Sequence, residues 1–276
     1  MKLSKNIAIL GCGWLVLPLA EHLSSLNYHV KGSTTSKDKI ELIKSKKTDP
    51  YLIEVKENEI IGNHEFFTSI DVLIIAIPPR LKSNPERRHD LVVDRCIEVC
   101  IANNIKEVIF ISSTSVYGNQ SGNLNEESKL APSTNSGKQL AICEQKLLET
   151  DHFSTTILRM GGLIGEKRHP IIQLSKRKYV DNPKGSINLI HLTDCISIIH
   201  QLLNKKIIKN VYNCVTPYHP SREKYYSDMA LLIGCNQPSF KDLNLIDRVI
   251  SSAKIIQDLK YTFIVKNLLI FSWRAF

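Results

Sequence analysis

Ile7-Ala-Ile-Leu-Gly-Cys-Gly-Trp-Leu-Val-Leu-Pro-Leu-Ala20 is an apolar run that breaks at Gly11 and Gly13 and resumes with helical spacing. That order reads as strand, tight turn and helix, the arrangement that seats a nucleotide phosphate. The first glycine permits the sharp exit from the strand. The second, lacking a side chain, lets the backbone approach a pyrophosphate at the helix N-terminus. Gly11 and Gly13 take these places, and Trp14 and Leu15 carry the turn into the helix. The third glycine of G-x-G-x-x-G is replaced by Val16. That position governs helix–sheet packing, so the expectation is a slightly displaced helix with its anion site intact. Leu17, Leu19, Ala20 and Leu23 are expected on the buried face, with Pro18 in the first turn, where its missing N–H does little harm. Three other readings compete, the first being a chance G-x-G, which is common enough that the motif alone is weak. Met1-Lys-Leu-Ser-Lys before an apolar run resembles a signal peptide, but Asn6 and the glycines interrupt the run. A lipoprotein site before Cys12 has only Ile7–Leu10 as its apolar segment.

Outward from this turn, apolar runs alternate with helical patterns. Strands are expected at Ile7–Leu10, Tyr28–Gly32, Val72–Ile77, Glu107–Ser113, Ser154–Arg159 and Val211–Val215, with helices at Asp90–Asn103 and Lys138–Thr150. Val249–Tyr261 reads as a late helix and turn. The alternation predicts a Rossmann-like, doubly wound α/β fold around a parallel sheet. Residues 1–160 form the expected dinucleotide-binding core. Residues 161–276 form a small substrate-side region interleaved with the last strands.

The chain has 276 residues, 43% of them hydrophobic, and no run long enough to span a bilayer. Its seven cysteines are scattered. Cys96 and Cys100 lie one helical turn apart with no second ligand pair nearby, which argues against a metal. Unpaired thiols of this kind fit a reducing cytoplasm. The net charge is +9. Basic clusters at Lys44–Lys47, Arg87-Arg88, Lys176–Lys178 and Lys205-Lys206 come without a nucleic-acid-binding motif, so they read as solvated surface or as a positive cleft for an anion. Neither nucleic acid nor membrane is an expected partner. The sequence leaves the oligomeric state open.

Phe110-Ile-Ser-Ser-Thr-Ser-Val-Tyr-Gly118, Glu126-Glu127, Ala131-Pro132, Ile157-Leu-Arg-Met-Gly-Gly162, Leu189-Ile-His-Leu-Thr-Asp194 and Val211-Tyr-Asn-Cys214 occur in a telling order. Together they resemble the extended short-chain dehydrogenase/reductases, the epimerase/dehydratase relatives. The match covers most of the chain, and the initial Gly-Cys-Gly-Trp-Leu with Pro220-Ser-Arg-Glu-Lys-Tyr-Tyr226 is similar to an atypical branch. The resemblance implies a nicotinamide cofactor and a small anionic substrate such as a nucleotide sugar. Its enzymes use a Tyr-x-x-x-Lys pair, the tyrosine as acid/base and the lysine on the nicotinamide ribose. Here, anchoring on Pro132 and Glu144 puts Ser136 in the tyrosine slot and Leu140 in the lysine slot. A two-residue slide that uses Lys138 as the lysine puts Thr134 in the tyrosine slot. Neither register supplies a phenol, and a serine hydroxyl is too weak an acid to replace one.

Ser113 matches the family's catalytic hydroxyl, four residues before Tyr117. It either hydrogen-bonds a substrate oxygen or caps the strand end. Tyr117 is a second proton-donor candidate, although the resemblance implies a mainly structural role at that position, and Lys138 is a ribose candidate if the helix shifts. His191 and Asp194 are expected to organise the loop below the substrate. Gly32-Ser-Thr-Thr-Ser-Lys37 carries no acid after the second strand, so Ser33, Thr34 and Lys37 favour the 2′-phosphate of NADP over NAD. Ile77, Pro78 and Pro79 are expected to stiffen the cofactor wall, and Gly161 to allow close approach near the nicotinamide. The resemblance places Lys167, Arg168, His169 and Lys176–Lys178 on the substrate side, as cations for a pyrophosphate; a solvated basic loop explains the same residues and is the preferred reading. Two functions follow: an NADP-dependent oxidoreductase or epimerase-like enzyme with a rearranged acid/base set, or an NADP-binding sensor or interaction module without turnover.

Overall fold

The computed structural model describes residues 5–205 and 209–269. Met1–Ser4 of the signal-like stretch, and Lys206, lie outside the described residues. The chain opens with β1 (Asn6–Leu10), α1 (Val16–Ser25), β2 (His29–Thr34), α2 (Ile40–Ser45), β3 (Asp49–Val55), β4 (Ile60–Gly62) and β5 (Val72–Ile75). It continues with α3 (His89–Ala102), β6 (Glu107–Ser113), β7 (Gly122–Leu124), α4 (Asn135–Glu149) and β8 (Ser154–Met160). Then come β9 (Gly162–Ile164), α5 (Ile171–Leu174), β10 (Val180–Asp181), β11 (Leu189–His191), α6 (Leu192–Leu203) and β12 (Asn210–Cys214). The last are α7 (Arg222–Ile233), β13 (Phe240–Lys241), β14 (Arg248–Ile250) and α8 (Ala253–Leu259).

The main sheet runs β12-β8-β6-β5-β1-β2-β3-β4. Its pairs are parallel except β3 with the edge strand β4. The central strands are apolar on both faces: Ile7, Ile9 and Ile74 join one core, Ala8, Leu10, Leu73 and Ile75 the other. Helices therefore cover both faces, as the continuous apolar runs require. Each expected strand is present within a few residues.

The sequence reading passed over β3. Its burial alternates, and Pro50 sits near its start. Pro50 lies ahead of Ile53–Val55, the stretch that pairs β4, so its missing N–H interrupts no bond on that side. In α1, Val16 itself is buried with Leu19, Ala20 and Leu23, while Leu17 is only partly covered. A third core, holding Ile171, Tyr225, Tyr226 and Met229, lies beneath the substrate-side region.

Candidate functional site

The order in which strands are added to the sheet reverses between β1 and β5, and ligands of open α/β sheets bind at such a switch point. Gly11 sits there with φ +96°, and a Cβ on it would stand 3.2 Å from the Ala76 carbonyl oxygen. At Gly13 a Cβ would meet only the Gly11 oxygen, at 3.9 Å, so this position opens onto free space. Ser33 braces the turn from β2. Its Oγ accepts from Gly11 N at 2.9 Å and its carbonyl from Cys12 N at 2.8 Å. Gly32 leaves room for the Cys12 thiol, whose Sγ would lie 2.8 Å from an added Cβ. Burial pushes that thiol up to about 12, so it stays protonated and unreactive.

Gly11, Gly13, Trp14 and Leu15 line a cleft of about 370 Å³, within the ~300–1,000 Å³ common for small-molecule sites. Ile77, Pro78 and Pro79 form its second wall, and Ser33 and Thr34 its far end. Ser33 is nearly sealed, and Thr34 Oγ1 accepts from Ser36 N at 3.1 Å, so both hydroxyls also hold the loop. Lys37 is exposed and does not line the cleft, whereas Lys39 does. The 3-10 turn Lys37–Lys39 after β2 separates the two lysines. Arg80, Arg87 and Arg168 add three cations that the cofactor reading did not include; the one acid among the lining residues is Glu54. Burial and neighbouring Arg80 depress Arg87, and Glu57 and Glu54 oppose them.

A second pocket of about 420 Å³ adjoins it, and Ser113 lines both. Its wall holds Arg222 and Arg248 and no carboxylate. Arg222 Nε donates to the Asp181 carbonyl at 3.1 Å and lies over the Tyr226 ring. Arg248 donates to the Gly118 carbonyl. Burial, then the charge of Arg222, lowers Arg248. Two cations that repel each other across a pocket without an acid suit an anionic guest. Gly161 also lines it. A Cβ there would come within 2.8 Å of the Asn188 carbonyl, so the glycine lets β8 leave the sheet against that backbone.

The other proposed catalytic groups scatter. Ser113 caps the turn after β6, its Oγ accepting from Ser115 N at 3.1 Å, which leaves its proton available. Tyr117 is fully buried. Its hydroxyl accepts from Arg159 Nη1 at 2.8 Å and lies 2.8 Å from both the Asn125 backbone oxygen and Asn213 Oδ1, and Tyr117 is not among the residues lining either pocket. Ser136 is half-buried in the first turn of α4, and Lys138 is exposed; neither is among the residues lining either pocket. Leu140 does line the first cleft, in the slot that the Pro132 and Glu144 register gives to lysine.

The expected substrate-side cations also separate. Lys176, Arg177 and Lys178 are exposed and line neither pocket. His169 is buried, 2.8 Å from the Tyr225 hydroxyl, and burial depresses it to about 4. His191 Nδ1 accepts from Thr193 N at the start of α6. Asp194 accepts from Tyr261 Oη at 2.7 Å and from the backbone of Ile264 and Val265, fixing the segment after α8. Arg222 and Arg248 were missed as site residues. Pro220–Tyr226 carries only a resemblance, and neither arginine sits in a local sequence pattern that reveals a pocket.

No protein-family profile matches the chain. Protein YeeZ of Escherichia coli K12 is 34% identical over 266 residues, covering 94% of this chain and 96% of its own. The chain belongs to the YeeZ family. Among solved structures, a functionally unknown conserved protein from Silicibacter pomeroyi aligns over 97% of this chain and 96% of its own, with TM-score 0.79 and 18% identity. The UDP-glucuronic acid 4-epimerase of Bacillus cereus, solved with NAD, gives TM-score 0.78 at 21% identity over 94% of both chains. The UDP-glucose 4-epimerase of Thermotoga maritima, solved with UDP-glucose, gives 0.78 at 15% over 96% of both. At these identities the solved structures establish the shared fold, and the YeeZ match establishes the family.

Proposed function

We propose that the chain binds a nicotinamide dinucleotide in the glycine-turn cleft and a nucleotide sugar or like anion in the Arg222–Arg248 pocket, as an epimerase- or oxidoreductase-like enzyme. The observation that carries this reading is Ser113, whose side chain lies on the wall common to both pockets. Similar solved epimerases were captured with NAD or with a UDP-sugar. NADP is preferred over NAD, because Lys39, Arg80 and Arg87 face a cleft whose lining holds one acid. Residues 1–160 supply the dinucleotide half and residues 161–276 most of the substrate half.

The nicotinamide supplies hydride transfer when bound. The chain's own part is to hold the guest's charge with Arg222 and Arg248 and to donate a hydrogen bond from Ser113 Oγ. Tyr226 also lines the substrate pocket, and burial raises its phenol, which therefore keeps its proton at neutral pH.

The second reading, a dinucleotide-binding sensor without turnover, is favoured by Leu140 occupying the lysine slot of the cleft. Calorimetry with NADPH and NADH, followed by NADPH oxidation or sugar-nucleotide epimerisation assays, separates them. Binding with turnover that Ser113→Ala abolishes supports the enzyme. Binding with no turnover across a panel of UDP-sugars supports the sensor. Binding of neither dinucleotide sinks both.

A further inference from the structure

We propose that Arg168 clamps the pyrophosphate of the bound dinucleotide, reaching the cleft from the substrate side and held there on the face of Trp14. This inference rests on the dinucleotide reading above. The sequence placed Arg168 among the substrate-side cations, yet its side chain lines the glycine-turn cleft.

A short turn delivers it. Gly165 N donates to the Arg168 carbonyl and Arg168 N to the Gly165 carbonyl, both at 3.0 Å, with Lys167 at φ 55° between them. Gly165 packs close to the indole: a Cβ there would stand 3.0 Å from Trp14 Cζ2. Trp14 Nε1 in turn donates to the Glu166 carbonyl at 3.2 Å. The guanidinium carbon of Arg168 sits 4.8 Å from the Trp14 ring centroid. The indole is therefore pinned by the turn that carries the arginine, and the arginine lies on the indole.

That geometry leaves a charge unanswered. Among the described residues no carboxylate pairs with Arg168, and the lining acid Glu54 acts on Arg87. A guanidinium stacked on an aromatic face keeps its N–H edge free to fork onto phosphate oxygens. Location chooses which phosphate. Trp14 directly follows Gly13, where the backbone opens to free space and a pyrophosphate would lie. A 2′-phosphate would instead lie beyond β2, beside Ser33–Lys39. Because the turn follows β9, the clamp ties the substrate half to the cofactor.

The test is calorimetry of the full chain with NADPH, NADH and adenosine 2′-monophosphate, which lacks the pyrophosphate. Arg168→Met keeps the apolar stem on Trp14 and removes the charge. It should weaken NADPH and NADH by the same factor, about tenfold to a hundredfold for lost charge-assisted bonds, with 2′-monophosphate binding unchanged. Arg168→Lys should recover part of the loss. Wild-type affinity for NADPH in Arg168→Met overturns the clamp. A loss confined to NADPH also overturns it, making Arg168 a 2′-phosphate ligand, and a loss extending to 2′-monophosphate overturns it as general damage to the cleft. Wild-type protein that binds neither dinucleotide removes the underlying reading as well.

Discussion

Arg159 on β8 forks onto Glu144 on α4, with Nη2 2.7 Å from Oε2 and both side chains almost wholly buried. Ser112 Oγ donates to the other carboxylate oxygen at 2.5 Å, and Arg159 Nη1 reaches the Tyr117 hydroxyl. The pair locks α4 onto the strands that carry Ser113 and Gly161. Desolvation opposes a buried pair, but removing one partner strands the other charge. Glu144→Leu alone should therefore destabilise by about 3–5 kcal/mol, while Glu144→Leu with Arg159→Met loses much less. Urea unfolding of both single variants and the double variant measures this, and additive losses would refute the coupling.

His89 and His169 make stability sensitive to acid. Both are buried, and burial depresses each to about 4 from the ordinary value of about 6.5. Both ring nitrogens of His89 lack a hydrogen-bond partner among the described residues. The unfolded chain takes up these protons below about pH 6.5, and the native chain resists until near pH 4. Their contribution is thus complete above about pH 6.5 and is lost as pH falls towards 4, at up to about 1.4 kcal/mol per pH unit for each. Unfolding free energies between pH 7.5 and 5 should show a shallower slope in His89→Leu than in wild type. An unchanged slope would contradict the assignment.

Lys39 after β2 and Arg80 after β5 both line the cleft and should set dinucleotide preference. Arg80→Ala and Lys39→Ala each remove a charge from the cleft lining, and a lone acid, Glu54, remains opposite. Each substitution should lower NADPH affinity several-fold, about 1 kcal/mol, and leave NADH within twofold. Lys37→Ala should change neither, since that side chain faces solvent away from the cleft. Competition titrations with both dinucleotides read this directly, and an effect of Lys37→Ala equal to that of Lys39→Ala would reverse the placement.

These outcomes mark what a one-dimensional reading can carry. Val72–Ile75 and Glu107–Ser113 were legible because strands covered on both faces must be apolar throughout. β3 was not, because one-sided burial and Pro50 break that pattern. Gly11 was legible because its left-handed backbone permits few other residues, and Gly13 because a dinucleotide turn needs a position without a side chain. Lys39 and Lys37 differ only by where a 3-10 turn points them, which composition does not encode. Arg222 and Arg248 line one pocket although 25 residues of chain lie between them. For Tyr117 the resemblance implies a mainly structural role, and packing supplies the reason: Arg159, the Asn125 carbonyl and the Asn213 side chain surround its hydroxyl.

Gly11 and Gly13 should fail differently when given a methyl group. At Gly11 the residue is left-handed, with φ +96°, and a Cβ would press on the Ala76 carbonyl at 3.2 Å. Gly11→Ala should therefore cost about 1–3 kcal/mol of stability before any ligand is considered. Gly13 carries no such strain, and its Cβ would point into space with its nearest neighbour at 3.9 Å. Gly13→Ala should melt within a degree or two of wild type. Its new methyl would then occupy the volume that a pyrophosphate needs, so NADPH affinity should fall about tenfold or more, the scale of one lost charge-assisted contact. Thermal melts with and without NADPH separate the two effects: Gly11→Ala lowers both curves, while Gly13→Ala removes only the shift that the ligand produces. A Gly13→Ala protein that keeps its full NADPH-induced shift would mean that the dinucleotide backbone does not pass over this turn.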